Sequence, residues 1–411
     1  SGSINKQIFP LIVEPLKAEL TLSDAQIGIL TGLAPGLFAG VATLGLGWLA
    51  DRMARQWLLA ICVLVWSAAT LVMGLATTFA GLVVGAFVLS MGEMALLPVF
   101  NSVVPDLFGQ SLRRRINLAY GAVIVASAGA MLALAGAGLT FLAEHRDALP
   151  EVLRNLSTWR VAFVLTAALG LPLALGILWA GPVPRTGSAI AKEPAASFFQ
   201  RHLRATLGLY AAVCLFGIGS SAVLSWTTIY MMRRFTLGPA ELGAGVGGVL
   251  LASAILGILV SGIALKRLER SDPHTAPLKL YIAAFLLSIV PGALLLVVDN
   301  LTLAYVLMAA QFTLIFAAMA HNFSLVQELS PANARGQASG LFALSAGVVP
   351  AFAPLLVGLI SDRLGTGAEG LMLAIMGVSI PAYLLGALVL RSRSLGYADV
   401  IRDANEPATP V

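Results

Sequence analysis

Charge is the scarcest property of this sequence. Asp, Glu, Lys and Arg together make up 11% of its 411 residues, whereas a water-soluble domain carries about 25%. A chain so poor in charge cannot cover a water-facing surface, which excludes an ordinary soluble fold. Cysteine is nearly absent: Cys62 and Cys214 each stand inside an apolar stretch, so neither a disulfide scaffold nor a thiolate metal site is expected. No G-x-x-x-x-G-K-[ST] phosphate loop occurs, so the chain encodes no ATP-driven pump. There is no metal-ligand spacing, no nucleophile elbow and no clustered catalytic set, so neither a cofactor nor an enzymatic activity is expected. No cleavable signal peptide is visible.

Apolar residues are what the chain has instead, at 58% with a mean hydropathy of +0.91. A helix needs about 20 apolar residues to cross a bilayer, so about twelve spans fit with short loops between them. Long unbroken apolar runs favour helices over a barrel, whose strands alternate. The fold class expected is therefore an all-α membrane protein of twelve transmembrane helices in two six-helix bundles.

The first apolar stretch, Ile4 to Leu16, is too short to cross, and helix 1 is expected to lack its cytoplasmic half. The others run Gln26–Leu49, Trp57–Ala76, Phe79–Val104, Ile116–Leu142, Trp159–Trp179, Ala205–Tyr230, Leu242–Leu265, Leu278–Val298, Leu301–Val326, Ala338–Ile360 and Gly370–Leu390. The polar stretch 182–204 divides residues 1–181 from 205–393, and 394–411 form a tail. With helix 1 running outward, seventeen of the 25 Lys/Arg fall in cytoplasmic segments, seven fall outside and Lys6 lies within a span. That asymmetry meets the positive-inside rule with both termini in the cytoplasm, in an inner membrane if the source is bacterial. It also explains the net charge of +5 without nucleic acid as a partner.

The two halves carry a repeat. Gly47-Trp-Leu-Ala-Asp51-Arg52-Met-Ala-Arg55 follows span 2, and Gly262-Ile-Ala-Leu-Lys266-Arg267-Leu-Glu-Arg270 follows span 8, 215 residues later. Parallel repeats of this kind place a solute site at their interface near the bilayer midplane.

The first of these loops resembles the signature loop between helices 2 and 3 of the major facilitator superfamily. Glu14-Pro15-Leu-Lys17, Leu22-Ser23-Asp24-Ala-Gln26-Ile-Gly28, Gly92-Glu93 and Gly358-Leu-Ile-Ser361-Asp362 look more narrowly like its spinster-like branch. The resemblance implies the major facilitator fold, a cavity lined by helices 1, 4, 7 and 10, and alternating access. Animal members of the branch are implied to carry lysolipids or sphingoid phosphates. The chain departs from the branch where Asn5-Lys6 replace an Asp-Arg pair, where Ala86 replaces an Arg, and where Lys266 stands opposite Asp51.

Glu93 is the foremost candidate for proton coupling. It lies about 13 residues into span 4, roughly 20 Å from the outer surface, where a carboxylate costs about 2.5–3.5 kcal/mol or more. The plain alternative is a permanently protonated structural acid. Lys6, roughly 18 Å below the outer end of helix 1, is at a matching depth to pair with Glu93 or bind an anionic head group, with Asn5 beside it; a snorkelling helix-end lysine is its alternative. Gln311 and His321 in span 10 are candidate cavity-lining residues, although a lone helical His is more often satisfied locally.

Gly47, Asp51, Arg52 and Arg55 are expected to gate: Gly47 permits close helix approach. Asp51 can then reach a neighbouring helix N-terminus, where the dipole favours a carboxylate; the resemblance implies that this neighbour is helix 11, near Arg335, and the alternative is a topogenic loop. Trp226 and the Thr158-Trp159-Arg160 corner read as interfacial anchors, the Gly/Ala-rich run 121–138 as a packing face, and Pro350 and Pro354 as a kink. The expected partners are a small or lipid-like solute, protons and membrane lipids, bound by a monomer. A drug/proton antiporter and a non-transporting membrane solute sensor remain as alternatives.

Overall fold

The computed structural model describes residues 2–37, 53–94, 110–179, 181, 203–270, 275–321, 345–365 and 367–393. All regular structure among them is helical. The helices are α1 Gly2–Leu20, α2 Asp24–Gly28 running on through a π-turn at Ile29–Leu33, α3 Arg55–Leu75, α4 Phe79–Met94 and α5 Gln110–Glu144. There follow α6 Thr158–Trp179, α7 Leu203–Phe235, α8 Pro239–Glu269, α9 Ala276–Leu294, α10 Leu301–Met319, α11 Ala353–Leu364 and α12 Ala368–Arg393. Nine helices among the described residues are long and apolar enough to cross a bilayer, and α4 is apolar but shorter, over Phe79–Gly92.

Several helices outrun the apolar stretches that announce them. α1 continues past Leu16 to Leu20, α5 spans 35 residues, and α7 runs on through Arg233 and Arg234 to Phe235. Charge ends an apolar run in the sequence, but it does not end a helix whose charges find partners. Pro350 and Pro354 produce a break rather than a smooth bend: a 3-10 turn at Pro350–Phe352 precedes α11. Asn300, which sits in a glycosylation-like Asn-Leu-Thr triplet, caps α10 by accepting from the Leu303 N–H at 2.9 Å.

The turns after α1 and α7 are copies of one another. Thr21 and Thr236, 215 residues apart, both adopt positive φ, 51° and 50°. Each hydroxyl donates to the preceding carbonyl, Leu20 O and Phe235 O, at 2.8 Å. A β-branched residue rarely accepts this left-handed conformation, so its double occurrence marks a repeated design. The surrounding sequence repeats as well: Thr21-Leu22-x-x-Ala25-Gln26-Ile27-Gly28 against Thr236-Leu237-x-x-Ala240-Glu241-Leu242-Gly243.

By contact the chain gathers into two compact units. The first comprises Ser1–Ser188, Ser225–Leu251 and Pro354–Leu371. Glycines set its tightest crossings. A Cβ on Gly28 of α2 would lie 2.3 Å from the Pro354 carbonyl oxygen, and one on Gly358 of α11 would lie 2.2 Å from that of Asp24. A Cβ on Gly129 of α5 would lie 2.3 Å from the Gly247 oxygen of α8, and one on Gly247 would lie 2.5 Å from that of Gly129. Contacts this close are open only to glycine, and they identify α8 as the element for which the Gly/Ala run of α5 is shaped.

The second unit comprises Ala189–Leu224, Ala252–Ala353 and Met372–Val411. Its core is aromatic: Phe216 stacks on Phe285 at 4.5 Å, with the edge of Tyr281 at 5.1 Å, and Tyr383 lies against Phe285 at 5.1 Å.

Candidate functional site

One buried cluster of charges dominates the first unit. The element that needs it is α2, whose first N–H groups have no partner inside the helix. Ser23 and Gln26 begin the answer as a capping box: Ser23 Oγ accepts from the Gln26 N–H at 3.2 Å, and Gln26 Oε1 accepts from the Ser23 N–H at 2.9 Å. Asp362, at the end of α11, completes it. Its two carboxylate oxygens accept from the N–H groups of Asp24 and Ala25 at 2.8 and 2.9 Å. A carboxylate at a helix N-terminus also meets the positive end of the macrodipole.

Asp24 itself is fully buried. The Arg233 guanidinium donates to it twice, Nη1 to Oδ2 at 2.9 Å and Nη2 to Oδ1 at 2.7 Å. Lys17 Nζ donates to Oδ1, and Ser361 Oγ donates to Oδ2 at 2.7 Å. The remaining edge of Arg233 is taken by Glu14, whose Oε1 accepts from Nε at 2.8 Å. Removing a carboxylate from water costs several kcal/mol, and only close, well-formed ion pairs return it. Here two cations and two anions are satisfied together, and the further charge of Asp362 sits on the positive helix end. The cluster thus ties α1, α2, the C-terminal end of α7 and α11 into one charge-compensated knot.

The electrostatics fix its pH range. Burial alone would raise the Asp24 carboxyl, but hydrogen bonds from Arg233 and Lys17 and the Arg233 charge outweigh it and hold the group at about 2, against an ordinary 3.8. A depressed folded value stabilises the structure above the ordinary value and loses that effect as pH falls towards the folded one. The difference in melting temperature between wild type and Asp24→Asn is therefore expected to be flat from about pH 8 to about pH 5 and to shrink only below about pH 4. A difference that collapses near neutrality would show that Asp24 exchanges protons in the working range.

A second cluster braces the same region. Glu19 accepts from Trp159 Nε1 and from Arg160 Nε, both at 2.7 Å, and Arg160 Nη1 donates to the Gly74 carbonyl at 3.0 Å. Trp159 and Arg160 are buried; they are not surface anchors, because their polar atoms are satisfied by α1 and α3. Trp226 is corrected in the same way: it is wholly buried and donates from Nε1 to the Pro354 carbonyl at 3.1 Å. Glu19 is partly exposed, which screens its charge. Glu19→Gln is therefore expected to cost only about 1–2 kcal/mol, read as a melting temperature lower by about 1–2 °C.

The sequence candidates are distributed differently. Asn5 and Lys6 lie on α1 and Glu93 on α4, with their side chains outside the described residues; Arg55 opens α3 and its side chain is likewise outside. Gly47, Asp51, Arg52 and Arg335 lie outside the described residues altogether. Gln311 is buried on α10 against Gly292 of α9, where a Cβ would lie 2.3 Å from Nε2. That places it at a helix contact rather than on an open wall. His321 sits in the turn after α10, facing the charge of Glu269.

Sequence reasoning passed over Arg233, Lys17, Glu14, Asp24, Ser361 and Asp362 as functional residues. All but Arg233 stood in the short stretches that carried the spinster-like resemblance, so the signal was present but its chemistry was not. A carboxylate capping a neighbouring helix, the device expected of Asp51, is present at Asp362 towards α2; Asp51 itself lies outside the described residues.

Comparison with known proteins agrees with this architecture. A model of the Major Facilitator Superfamily matches residues 2–354. An MFS-type efflux pump of Mycolicibacterium smegmatis is 25% identical over 402 residues, covering 96% of this chain and 90% of the pump. The protein spinster of Drosophila melanogaster is 24% identical over 279 residues, which is 64% of this chain and 43% of the fly protein. A bacterial homologue of the human lysosomal transporter Spinster, solved in an inward-facing and occupied conformation, superposes with a TM-score of 0.78 at 18% identity, covering 99% of this chain and 96% of the other. The spinster-like resemblance read from the sequence is borne out by these relatives.

Proposed function

This chain belongs to the Major Facilitator Superfamily, a multi-pass membrane transporter, and on that premise we propose that it moves an amphipathic or anionic, lysolipid-like small molecule by proton-coupled alternating access. The observation that carries the reading is the charge knot centred on Asp24 and Arg233. A gate must have two discrete arrangements rather than a continuum. A fully buried, mutually satisfied ion cluster has that property, since loosening one member exposes the rest to an unpaired state. With the termini in the cytoplasm, as the Lys/Arg distribution supports, the knot closes the extracellular end. The repeated Thr21 and Thr236 turns support a division into halves at 1–181 and 205–393.

Coupling is assigned to Glu93, with Lys6 as its cationic partner or as the seat of a phosphate or carboxylate head group. Asn5 supplies polarity beside Lys6 on α1. Asp51, Arg52, Arg55, Gly47 and Arg335 form the opposing, cytoplasmic gate. Asp24 is unsuited to coupling because its carboxyl stays ionised down to about pH 2. In proteoliposomes, Glu93→Gln is expected to abolish uptake driven by a proton gradient while counterflow exchange persists. Lys6→Ala is expected to weaken uptake of an anionic lysolipid by about ten-fold, the loss of one charge-assisted contact. Undiminished proton-driven uptake in both variants removes this site.

A second reading has its own support: the relative covering nearly the whole chain is named as an efflux pump. Under it Glu93 serves the proton and apolar walls take lipophilic cations. Efflux of a lipophilic cation, measured beside lysolipid flux in the same vesicles, separates the two.

A further inference from the structure

We propose that the groove between α1, α5 and α6 is a binding site for a zwitterionic phospholipid of the surrounding bilayer, with one acyl chain in the groove and the head group on the loop after α5. The groove encloses about 850 Å3, within the roughly 300–1,000 Å3 of small-molecule sites. Its walls are apolar: Leu11 and Pro15 of α1, Leu139 and Ala143 of α5, and the Trp159 ring of α6. Charge is confined to one end, where Glu19, Glu144 and Arg146 form the rim. An apolar slot with charge at one end matches an amphiphile lying along the bilayer normal.

The rim also selects the head group. Glu19 is already engaged by Arg160 and Trp159, so its charge is neutralised. That leaves Glu144 and Arg146, one of each sign. Arg146 is held in place by two bonds to main-chain carbonyls, Nε to Arg154 O at 3.1 Å and Nη2 to Leu156 O at 2.9 Å. A guanidinium has five N–H donors, and bonds to neutral carbonyls leave its full charge for an anion. Glu144 is the last residue of α5, where the carbonyl end of the helix dipole also favours a cation. A phosphate on Arg146 and an ammonium at Glu144 describe a phosphatidylethanolamine-type head. An anionic lipid would meet Glu144 without compensation. This assignment is independent of which solute the chain transports.

The test is native mass spectrometry of the full chain extracted from vesicles of equal phosphatidylethanolamine and phosphatidylglycerol. The wild type is expected to retain one phosphatidylethanolamine, enriched about ten-fold over phosphatidylglycerol, the discrimination of one compensated charge. Ala143→Phe, which narrows the exposed mouth of the groove, and Arg146→Glu are each expected to remove that preference. Melting temperature verifies folding, and Glu144→Lys, in an exposed position, decides should Ala143→Phe misfold: its preference is expected to turn towards phosphatidylglycerol. Equal retention of both lipids by the wild type, or an unchanged preference in Arg146→Glu and Glu144→Lys, overturns the proposal.

Discussion

Asp24→Asn is expected to stop transport while the chain still inserts and folds. Asparagine keeps the shape and one acceptor oxygen, but Arg233 and Lys17 then face a neutral group, with Glu14 left to Arg233 alone. Removing one partner of a buried ion pair costs about 3–5 kcal/mol. Here that cost falls on the closed arrangement, because in the open one the cations reach water. A shift of that size changes the balance of two states by about 150- to 5,000-fold. The measurement is a pair of spin labels at Thr21 and Thr236, exposed turns on either side of the knot, read by pulsed distance spectroscopy alongside flux in vesicles. The variant is expected to show a longer, broader separation and flux below about one hundredth of wild type. Unchanged distances with intact flux would make the knot ornamental to the cycle.

Gly358→Ala is the second large effect, and it acts on shape instead of charge. A single methyl there would sit 2.2 Å from the Asp24 carbonyl oxygen and 2.5 Å from its carbonyl carbon. Backbone atoms cannot turn aside as a side chain can, so α2 and α11 must separate. Overpacking of this kind costs about 1–3 kcal/mol, again against the closed state. Flux is expected to fall by about five-fold to 150-fold, with the same lengthening between Thr21 and Thr236. Gly248→Ala is the control: nothing lies within 4 Å of a Cβ at that helical position, and alanine gains about 0.8–1.0 kcal/mol of helix propensity. It is expected to transport normally. Because both faults strike one closed state, Asp24→Asn combined with Gly358→Ala is expected to be no worse than the more severe single change, a non-additivity diagnostic of shared function.

Much of the architecture was legible before any coordinates. Apolar runs marked the spans, and the Gly47 and Gly262 loops revealed the 215-residue repeat that the Thr21 and Thr236 turns then gave in backbone form. Span ends were less legible. Tyr230 looked like the last apolar residue of helix 7, yet α7 reaches Phe235 because the charge of Arg233 is consumed by Asp24 and Glu14. Trp159 and Trp226 looked like surface anchors for a related reason: an indole has the same appearance in a sequence whether its N–H faces a head group or a carbonyl.

What the sequence alone determined, then, was the solvent this protein lives in and the order of its spans. Hydropathy is additive along a chain, so windows of one sequence suffice to place helices in lipid. Tertiary structure decided which charges meet. Arg233 and Asp24 are 209 residues apart, and no local pattern joins them; their pairing follows from how α2, α7 and α11 cross, which glycines at positions 28 and 358 allow. A buried ion pair depends on angstrom-scale distance, because its Coulomb energy must offset a desolvation cost that composition never reveals.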